Sequence, residues 1–256
     1  MSTVLITGAA SGIGAAIARL AAKRGDAIAL LDLDGDALAQ LSDELRATGA
    51  GELSAAVCDV SDPGAVSEAV RHATAQLGVP TQTFCCAGID RGGATVTLPD
   101  EIWQRVIGVN LSGTFHVCRS VLAALDSERS PGAIVCISSV LATVATAGGS
   151  AAYCASKGGV ASLVRSLAIE YAGTGIRINA LAPGATDTPL MWAQVGEAER
   201  VAMRTQVEHE VPVGRLAGPE EQARAALWLA SADAGYVTGA ELAVDGGVLA
   251  RAVLSV

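Results

Sequence analysis

Positive charge is scarce in this chain. Its 17 Lys and Arg stand against 26 Asp and Glu, a formal net charge of −9. A nucleic-acid surface needs a basic patch, so that class of partner is not expected; the acidic balance itself speaks only of solubility. Paired cysteine motifs are also missing. Cys58, Cys85, Cys86, Cys118, Cys136 and Cys154 show neither C-x-x-C nor zinc-ribbon spacing, which predicts reduced, mostly buried thiols in a cytoplasmic protein and no metal site. Long unbroken apolar runs are absent too. Residues 1–18 carry no charge, but Gly8, Gly12 and Gly14 interrupt them and no basic segment precedes them. The uncharged stretch between Arg129 and Lys157 could span a bilayer by length, yet Pro131, Gly132, Gly148 and Gly149 break it into strand, loop and helix start. No membrane span is expected.

What is present is a 256-residue chain, 51% hydrophobic and only 17% charged, the reverse of a disordered composition. A chain of this size buries roughly three quarters of its unfolded surface without help from disulfide or metal. Short apolar runs at Val4–Ile6, Ala27–Leu31, Leu53–Cys58, Thr83–Cys86, Ile134–Ile137, Ile178–Leu181 and Leu242–Val244 read as strands. Helical spacing separates them, as in Ile13, Ile17 and Leu20, or Val66, Val70 and Leu77 after the start signal Ser61-Asp62-Pro63. This alternation predicts an α/β fold: a doubly wound parallel sheet of about seven strands with helices on both faces, in a single domain over 1–256. Continuous apolar strands fit a sheet covered on both sides. Residues 188–215 break the rhythm, being more charged yet carrying Met191, Trp192, Val195, Met203 and Val207. They are expected to form either a substrate lid or a surface helix pair packed on the core.

Thr7-Gly8-Ala9-Ala10-Ser11-Gly12-Ile13-Gly14 follows the first strand and opens the first helix. Glycines there let the backbone turn tightly and approach a pyrophosphate, whose charge the helix N-terminus would meet. Asp32 ends the second strand, eighteen residues after Gly14. A carboxylate at that point can accept hydrogen bonds from both adenosine ribose hydroxyls and would repel a 2′-phosphate. Ala10, Ser11 and Leu33 are not basic, so NAD is favoured over NADP. Asp32 or Asp34 could instead cap the next helix, a role that suits Asp34 better. Asp59 and Val60, after the third strand, are placed either to touch adenine or to cap a helix.

Tyr153-Cys154-Ala155-Ser156-Lys157 carries the strongest signal. Positions i and i+4 share one helix face, which brings phenol and ammonium together. Lys157 is one of two lysines against fifteen arginines, and Tyr153 one of three tyrosines. A free phenol titrates near 10, too high for a base at neutral pH; an adjacent ammonium and an oxidised nicotinamide would both lower it.

With these residues the chain resembles the short-chain dehydrogenase/reductase family, in its classical-length branch, over about residues 2–248. The resemblance rests on Thr7-Gly8-x-x-x-Gly12-x-Gly14, Asp59, Ala87-Gly88, Asn110, Ser139, Tyr153 with Lys157, Pro183-Gly184 with Thr188, and Asp245-Gly246-Gly247. It implies a Rossmann-type fold and a secondary alcohol–ketone interconversion with NAD. Tyr153 would be the general acid/base, Ser139 would hydrogen-bond the reacting oxygen, and Lys157 would hold the nicotinamide ribose. Asn110 would support a water linking Lys157 to solvent. The cofactor would lie against Gly8, Ser11, Gly12, Ile13, Gly14, Asp32, Leu33, Asp59, Val60, Ala87, Gly88, Tyr153, Lys157, Pro183, Gly184, Thr186 and Thr188. Substrate would meet Ser139, Gly149, Ser150, Met191 and Trp192, with Asp90, Arg91, Gly92, Gly148 and Cys154 nearby. A homotetramer is implied, paired through helices around 99–125 and 151–172 and through the last strand.

The chain departs from the family pattern in three places. Cys85-Cys86 stands where the family usually writes Asn-Asn, and thiols are poor hydrogen-bond partners. Thr81 replaces a frequent Asp beside the same strand. Ser139 lies one residue further from Tyr153 than is usual, which leaves Ser138 as an alternative. Two rival functions remain on the same fold: a non-catalytic NAD(H)-binding regulator, against which Tyr153, Lys157, Ser139 and Asn110 count together, and an NADPH-using ketoreductase of the 3-oxoacyl type. Met191, Trp192 and Met203 lean toward an apolar substrate.

Overall fold

The structure is a computed structural model that describes residues 2–146 and 149–251. Each apolar run forms one strand: β1 (Thr3–Thr7), β2 (Ala27–Asp32), β3 (Leu53–Val57), β4 (Gln82–Cys85), β5 (Gly132–Ile137), β6 (Ile176–Pro183) and β7 (Glu241–Val244). All neighbouring pairs are parallel, in the order β3-β2-β1-β4-β5-β6-β7. The chain winds outward from β1 to β3, then crosses back to place β4 on the other side of β1. That reversal leaves a crevice beyond the carboxyl ends of β1 and β4, where ligands bind in such sheets.

Helices α1 (Gly12–Lys23), α2 (Gly35–Ala47), α3 (Pro63–Leu77), α4 (Asp100–Ile107), α5 (Thr114–Ser127), α6 (Ala151–Tyr171), α7 (Pro189–Trp192), α8 (Arg200–Glu210) and α9 (Pro219–Ala230) fill the connections. Because strand side chains alternate, the sheet separates two cores. Val4, Ile6, Ile28, Leu30 and Phe84 pack with α1, α2 and α9. Leu5, Ala29, Leu31, Cys85 and Cys136 pack with α3, α5 and α6.

Local signals set the helix starts. Asp34 caps α2 by accepting from Ala37 N at 3.0 Å. Asp62 caps α3 by accepting from Gly64 N and Ala65 N, with Pro63 in the first turn. That frees Asp32 and Asp59 from capping. Helix α1 has no side-chain cap at Ser11, so its first-turn N–H groups keep their donor capacity.

Helices α4 and α5 are joined by a π-helical turn, Gly108–Gly113. The whole run Asp100–Ser127 is long and apolar enough to cross a membrane by length and composition, with half of its apolar window buried in the fold. The π turn presents Asn110, which is fully buried. Its Oδ1 accepts from Ile89 N at 2.8 Å, and its Nδ2 donates to Ile89 O at 2.9 Å and to Ser156 Oγ at 3.0 Å. The side chain thus pairs with the loop after β4 much as a neighbouring strand would. Asn110→Ala leaves both Ile89 backbone groups without this partner and should cost about 2 kcal/mol, read from the midpoint shift in urea unfolding.

Candidate active site

A cavity of about 920 Å³ opens at the crevice, near the upper end of ligand-pocket sizes. The glycine-rich loop forms its floor. A Cβ on Gly8 (φ +62°) would stand 2.7 Å from Ala87 N, and one on Gly14 would stand 2.1 Å from Gly8 O. Only glycine lets β1, the loop after β4 and the start of α1 close up in this way. The Thr7 hydroxyl accepts from Cys86 N at 3.2 Å and Ala87 N at 3.3 Å. It therefore holds the loop after β4 from the backbone side, where Cys85 and Cys86 cannot use side-chain amides. The Thr81 hydroxyl reaches only Thr3 O, at 3.4 Å.

At one end of the cavity lie Asp32, Leu33, Asp59, Val60 and Arg105. Asp32 Oδ2 accepts from Ala10 N at 2.8 Å and its Oδ1 from Asp34 N at 3.0 Å, which seats the carboxylate against the glycine-rich loop. Asp59 accepts from Ser61 N and Ser61 Oγ and meets Arg105 Nη1 at 3.1 Å. The Ser61 hydrogen bonds, with Arg105 behind them, hold its carboxyl below the usual range.

At the other end stand Tyr153 and Lys157 on α6, with Ser138 and Ser139 after β5. Ser138 Oγ donates to Lys157 O at 3.3 Å and ties the strand to the helix. Ser139 Oγ accepts from Leu141 N at 3.1 Å and lies beside the Tyr153 phenol, whose ionised form it favours. Of the two serines, Ser139 has the hydroxyl turned to the phenol. Lys157 Nζ donates to Ile137 O at 2.8 Å and lies 5.6 Å from the Tyr153 ring centre. Gly88 packs between Asn110 Oδ1 and Lys157 Nζ, each 3.5 Å from where its Cβ would be.

One expectation needs correcting. The Tyr153 phenol stands above its ordinary value, not below it, in the protein alone. Burial pushes the phenol up to about 12, with Ser139 opposing and Asp90 adding to the rise. The ammonium is directed at Ile137 O, and burial lowers Lys157 itself to about 8. Asp90 is raised by burial against the opposing pull of Lys157, and its Oδ1 is buried with no hydrogen-bond partner among the described residues.

The segment 188–215 walls the substrate end. Met191 lines the cavity, but Trp192 does not. Its indole N–H donates to Asp187 Oδ1 at 2.7 Å and Arg204 stacks 5.3 Å above the ring, so it anchors the wall from behind. Asn110 also stands behind the lining. The remaining positions named for the cofactor line the cavity, as do Gly149, Ser150, Asp90 and Gly92. Arg91 is exposed, Cys154 stands outside the lining, and Gly148 lies outside the described residues.

Gln194 escaped the sequence reading. Its Nε2 donates to Asp90 O at 3.1 Å and its Oε1 accepts from Gly92 N at 3.3 Å, strapping this wall to the loop after β4. Val207 and Val211 also join Met203 in the lining. Their spacing of four along one helical stripe was the signal available for them.

A family model described as enoyl-(acyl carrier protein) reductase matches residues 8–249. Cis-4-hydroxycyclohexanecarboxylate dehydrogenase of Sinomonas cyclohexanicum is 42% identical over 96% of this chain and 96% of its own length. Two solved structures superpose closely. A short-chain type dehydrogenase/reductase from Mycobacterium marinum has a TM-score of 0.90 at 31% identity, covering 98% of this chain and 96% of its own. Actinorhodin polyketide ketoreductase with NADPH also scores 0.90, at 33% identity, covering 96% of this chain and 97% of its own. Fold, crevice and whole-length relatives agree: this chain is an oxidoreductase of the short-chain dehydrogenase/reductase family, with a fold that binds a nicotinamide dinucleotide.

Proposed function

We propose that this protein is an NAD-dependent dehydrogenase interconverting an uncharged, largely apolar secondary alcohol and its ketone. The observation that carries the reading is the meeting of the Tyr153 phenol, Ser139 hydroxyl and Lys157 ammonium on the same cavity that the glycine-rich loop floors. The residues fit a dinucleotide. Gly8 and Gly14 leave no room for side chains against the backbone, and the uncapped start of α1 offers N–H donors to a pyrophosphate.

NAD supplies the hydride acceptor and, when oxidised, a positive charge. Tyr153 takes the hydroxyl proton during oxidation and returns it during reduction. Ser139 orients the reacting oxygen toward that phenol. Lys157 holds the nicotinamide ribose, and Asn110 fixes the loop beside it. Since burial, with Asp90, holds the phenol near 12 against the pull of Ser139, its activation needs the positive charge of the oxidised cofactor beside the Lys157 ammonium.

Asp32 supports NAD over NADP, because its carboxylate sits where a 2′-phosphate would have to lie. Among the described residues, the cavity lining has only Arg105 and Lys157 as cations, and Arg105 is engaged by Asp59. The substrate end combines Leu141, Val144, Met191 and Met203 with the carboxylates Asp90 and Glu210, which disfavours an anionic substrate. That separates this chain from the hydroxycyclohexanecarboxylate dehydrogenase, whose substrate bears a carboxylate.

The same proposal places the enzyme in the cytoplasm as a homotetramer. Its six cysteines are free, and the outer faces of α4, α5 and α6 expose Trp103, Phe115 and Ile169, the last at 79%. Light scattering would read the assembly directly.

The deciding experiment follows NADH absorbance with NAD or NADP over a panel of neutral ring alcohols and their carboxylated counterparts. Turnover with NAD on the neutral members is expected. The double substitution Asp32→Ala, Leu33→Arg should narrow the preference for NAD by roughly tenfold to a hundredfold. An NADP preference in the wild type would overturn the reading of Asp32, and tight NADH binding without any turnover would favour a regulator.

A further inference from the structure

Three cysteines far apart in sequence meet inside the core on the α3–α5–α6 side of the sheet. Cys85 ends β4, Cys136 lies opposite it on β5, and Cys118 projects from α5 onto both. The Cys118 and Cys136 sulfurs are 3.8 Å apart, and all three lie within 4.8 Å of one another. Each side chain is at most 3% exposed. Sequence spacing hid this group, because its members come from three different elements and form no local motif.

We propose that Cys85, Cys118 and Cys136 form a binding site for a trivalent arsenic or antimony centre, held by three sulfur bonds. Geometry limits the occupant to a single three-coordinate atom. With bonds of about 2.3 Å and the roughly 100° angles that a lone pair imposes on such a centre, the sulfurs stand about 3.5 Å apart. The 3.8 Å between Cys118 and Cys136 therefore closes by a few tenths of an ångström, and Cys85 moves in with them. Charge then selects the element. The surroundings include Val121, Ile134, Val160 and Ala180, where an uncompensated charge is strongly disfavoured. A copper(I) ion on three thiolates would bury two negative charges. Zinc on three thiolates would bury one and leave its fourth position without a ligand. Three thiolates on a trivalent metalloid make a neutral complex that needs no further ligand.

Formation is a ligand exchange with no change of oxidation state. Each thiol transfers its proton to one hydroxyl of arsenous acid. One As–O bond breaks, one As–S bond forms and one water leaves, three times in turn. Because the thiols are enclosed beneath α5, uptake must await an opening of the fold that exposes them.

The test uses the full-length protein, kept reduced by a phosphine and incubated with sodium arsenite. Native mass spectrometry counts arsenic per chain, and arsenic-edge X-ray absorption counts the sulfur neighbours. One arsenic per chain with three sulfurs is expected. Cys118→Ala and Cys136→Ala, each checked for folding by circular dichroism, should weaken binding roughly tenfold or more. Cys58→Ala and Cys154→Ala should leave it unchanged. Two sulfurs per arsenic, with binding retained in Cys118→Ala, would overturn the proposal and assign the atom to the adjacent Cys85-Cys86 pair. No uptake by the wild type, or uptake of copper(I) in preference to arsenite, would overturn it as well.

Discussion

Tyr153→Phe is expected to lower kcat by about a thousandfold while leaving the Kd for NADH within about twofold of the wild type. General acid–base catalysis by one positioned group is worth roughly 10²–10⁴ in rate, and the hydroxyl and ammonium beside the phenol are already engaged. Ser139 is a neutral hydroxyl engaged with Leu141 N, and Lys157 Nζ faces Ile137 O. The substitution removes one oxygen from a side chain packed at the cavity wall, so the cradle for the dinucleotide is untouched. Stopped-flow turnover and fluorescence titration with NADH separate the two quantities. Loss of binding in parallel with rate would show that the phenol holds the cofactor rather than the proton. A wild-type rate of alcohol oxidation that rises with pH is part of the same expectation, because the phenol must lose its proton first.

Lys157→Met should abolish most activity yet make the fold more stable at neutral pH. Burial lowers the ammonium to about 8, whereas in the unfolded chain it titrates near 10.5. The unfolded state therefore binds more protons between about pH 8 and 10.5. The cost of burying the charge is fully present below pH 8 and is relieved as pH rises through that window. A shift of this size corresponds to a cost on the order of 3 kcal/mol, of which about 1 kcal/mol is offset by the bond to Ile137 O that the variant also loses. A gain of about 1 to 2 kcal/mol at pH 7 follows, fading by pH 10. The raised phenol of Tyr153 acts in the opposite sense, removing stability as pH climbs from 10 toward 12. Urea denaturation of wild type and variant at pH 7 and pH 10 reads the Lys157 effect, and the wild type carried on from pH 10 toward 12 reads that of Tyr153. A variant less stable than the wild type at pH 7 would mean that Lys157 is held mainly by favourable contacts. Such a trade of stability for function is common at active sites.

The layout of strands was legible because a sheet buried on both faces demands continuous apolar runs, and all seven runs stand out against polar turns. The glycine-rich loop and the Tyr153–Lys157 pair were legible because backbone closeness and helical spacing leave local marks. Three features were not. The state of the Tyr153 phenol depends on burial and on Asp90, which comes from a different element. Trp192 read as substrate-facing from its apolar ring, but its N–H needed Asp187, and that bond turns it away. Gln194 is an ordinary polar residue in a charged segment, and only folding carries it across to Asp90 and Gly92. The Tyr153 and Gln194 features depend on partners distant in sequence, which no periodicity encodes, and the Trp192 bond spans five positions, outside helical spacing.

The division of the core by the sheet has a consequence for how substitutions combine. Leu5 and Ile6 are covalent neighbours, yet they belong to separate packing communities on opposite sides of β1. Ile6 and Leu30, which share one side, are linked through common neighbours although 24 positions separate them. Energetic distance in this molecule is therefore measured through the sheet rather than along the chain. Damage on one side can be repaired by repacking that side alone, and drift in the two halves of the interior can proceed independently.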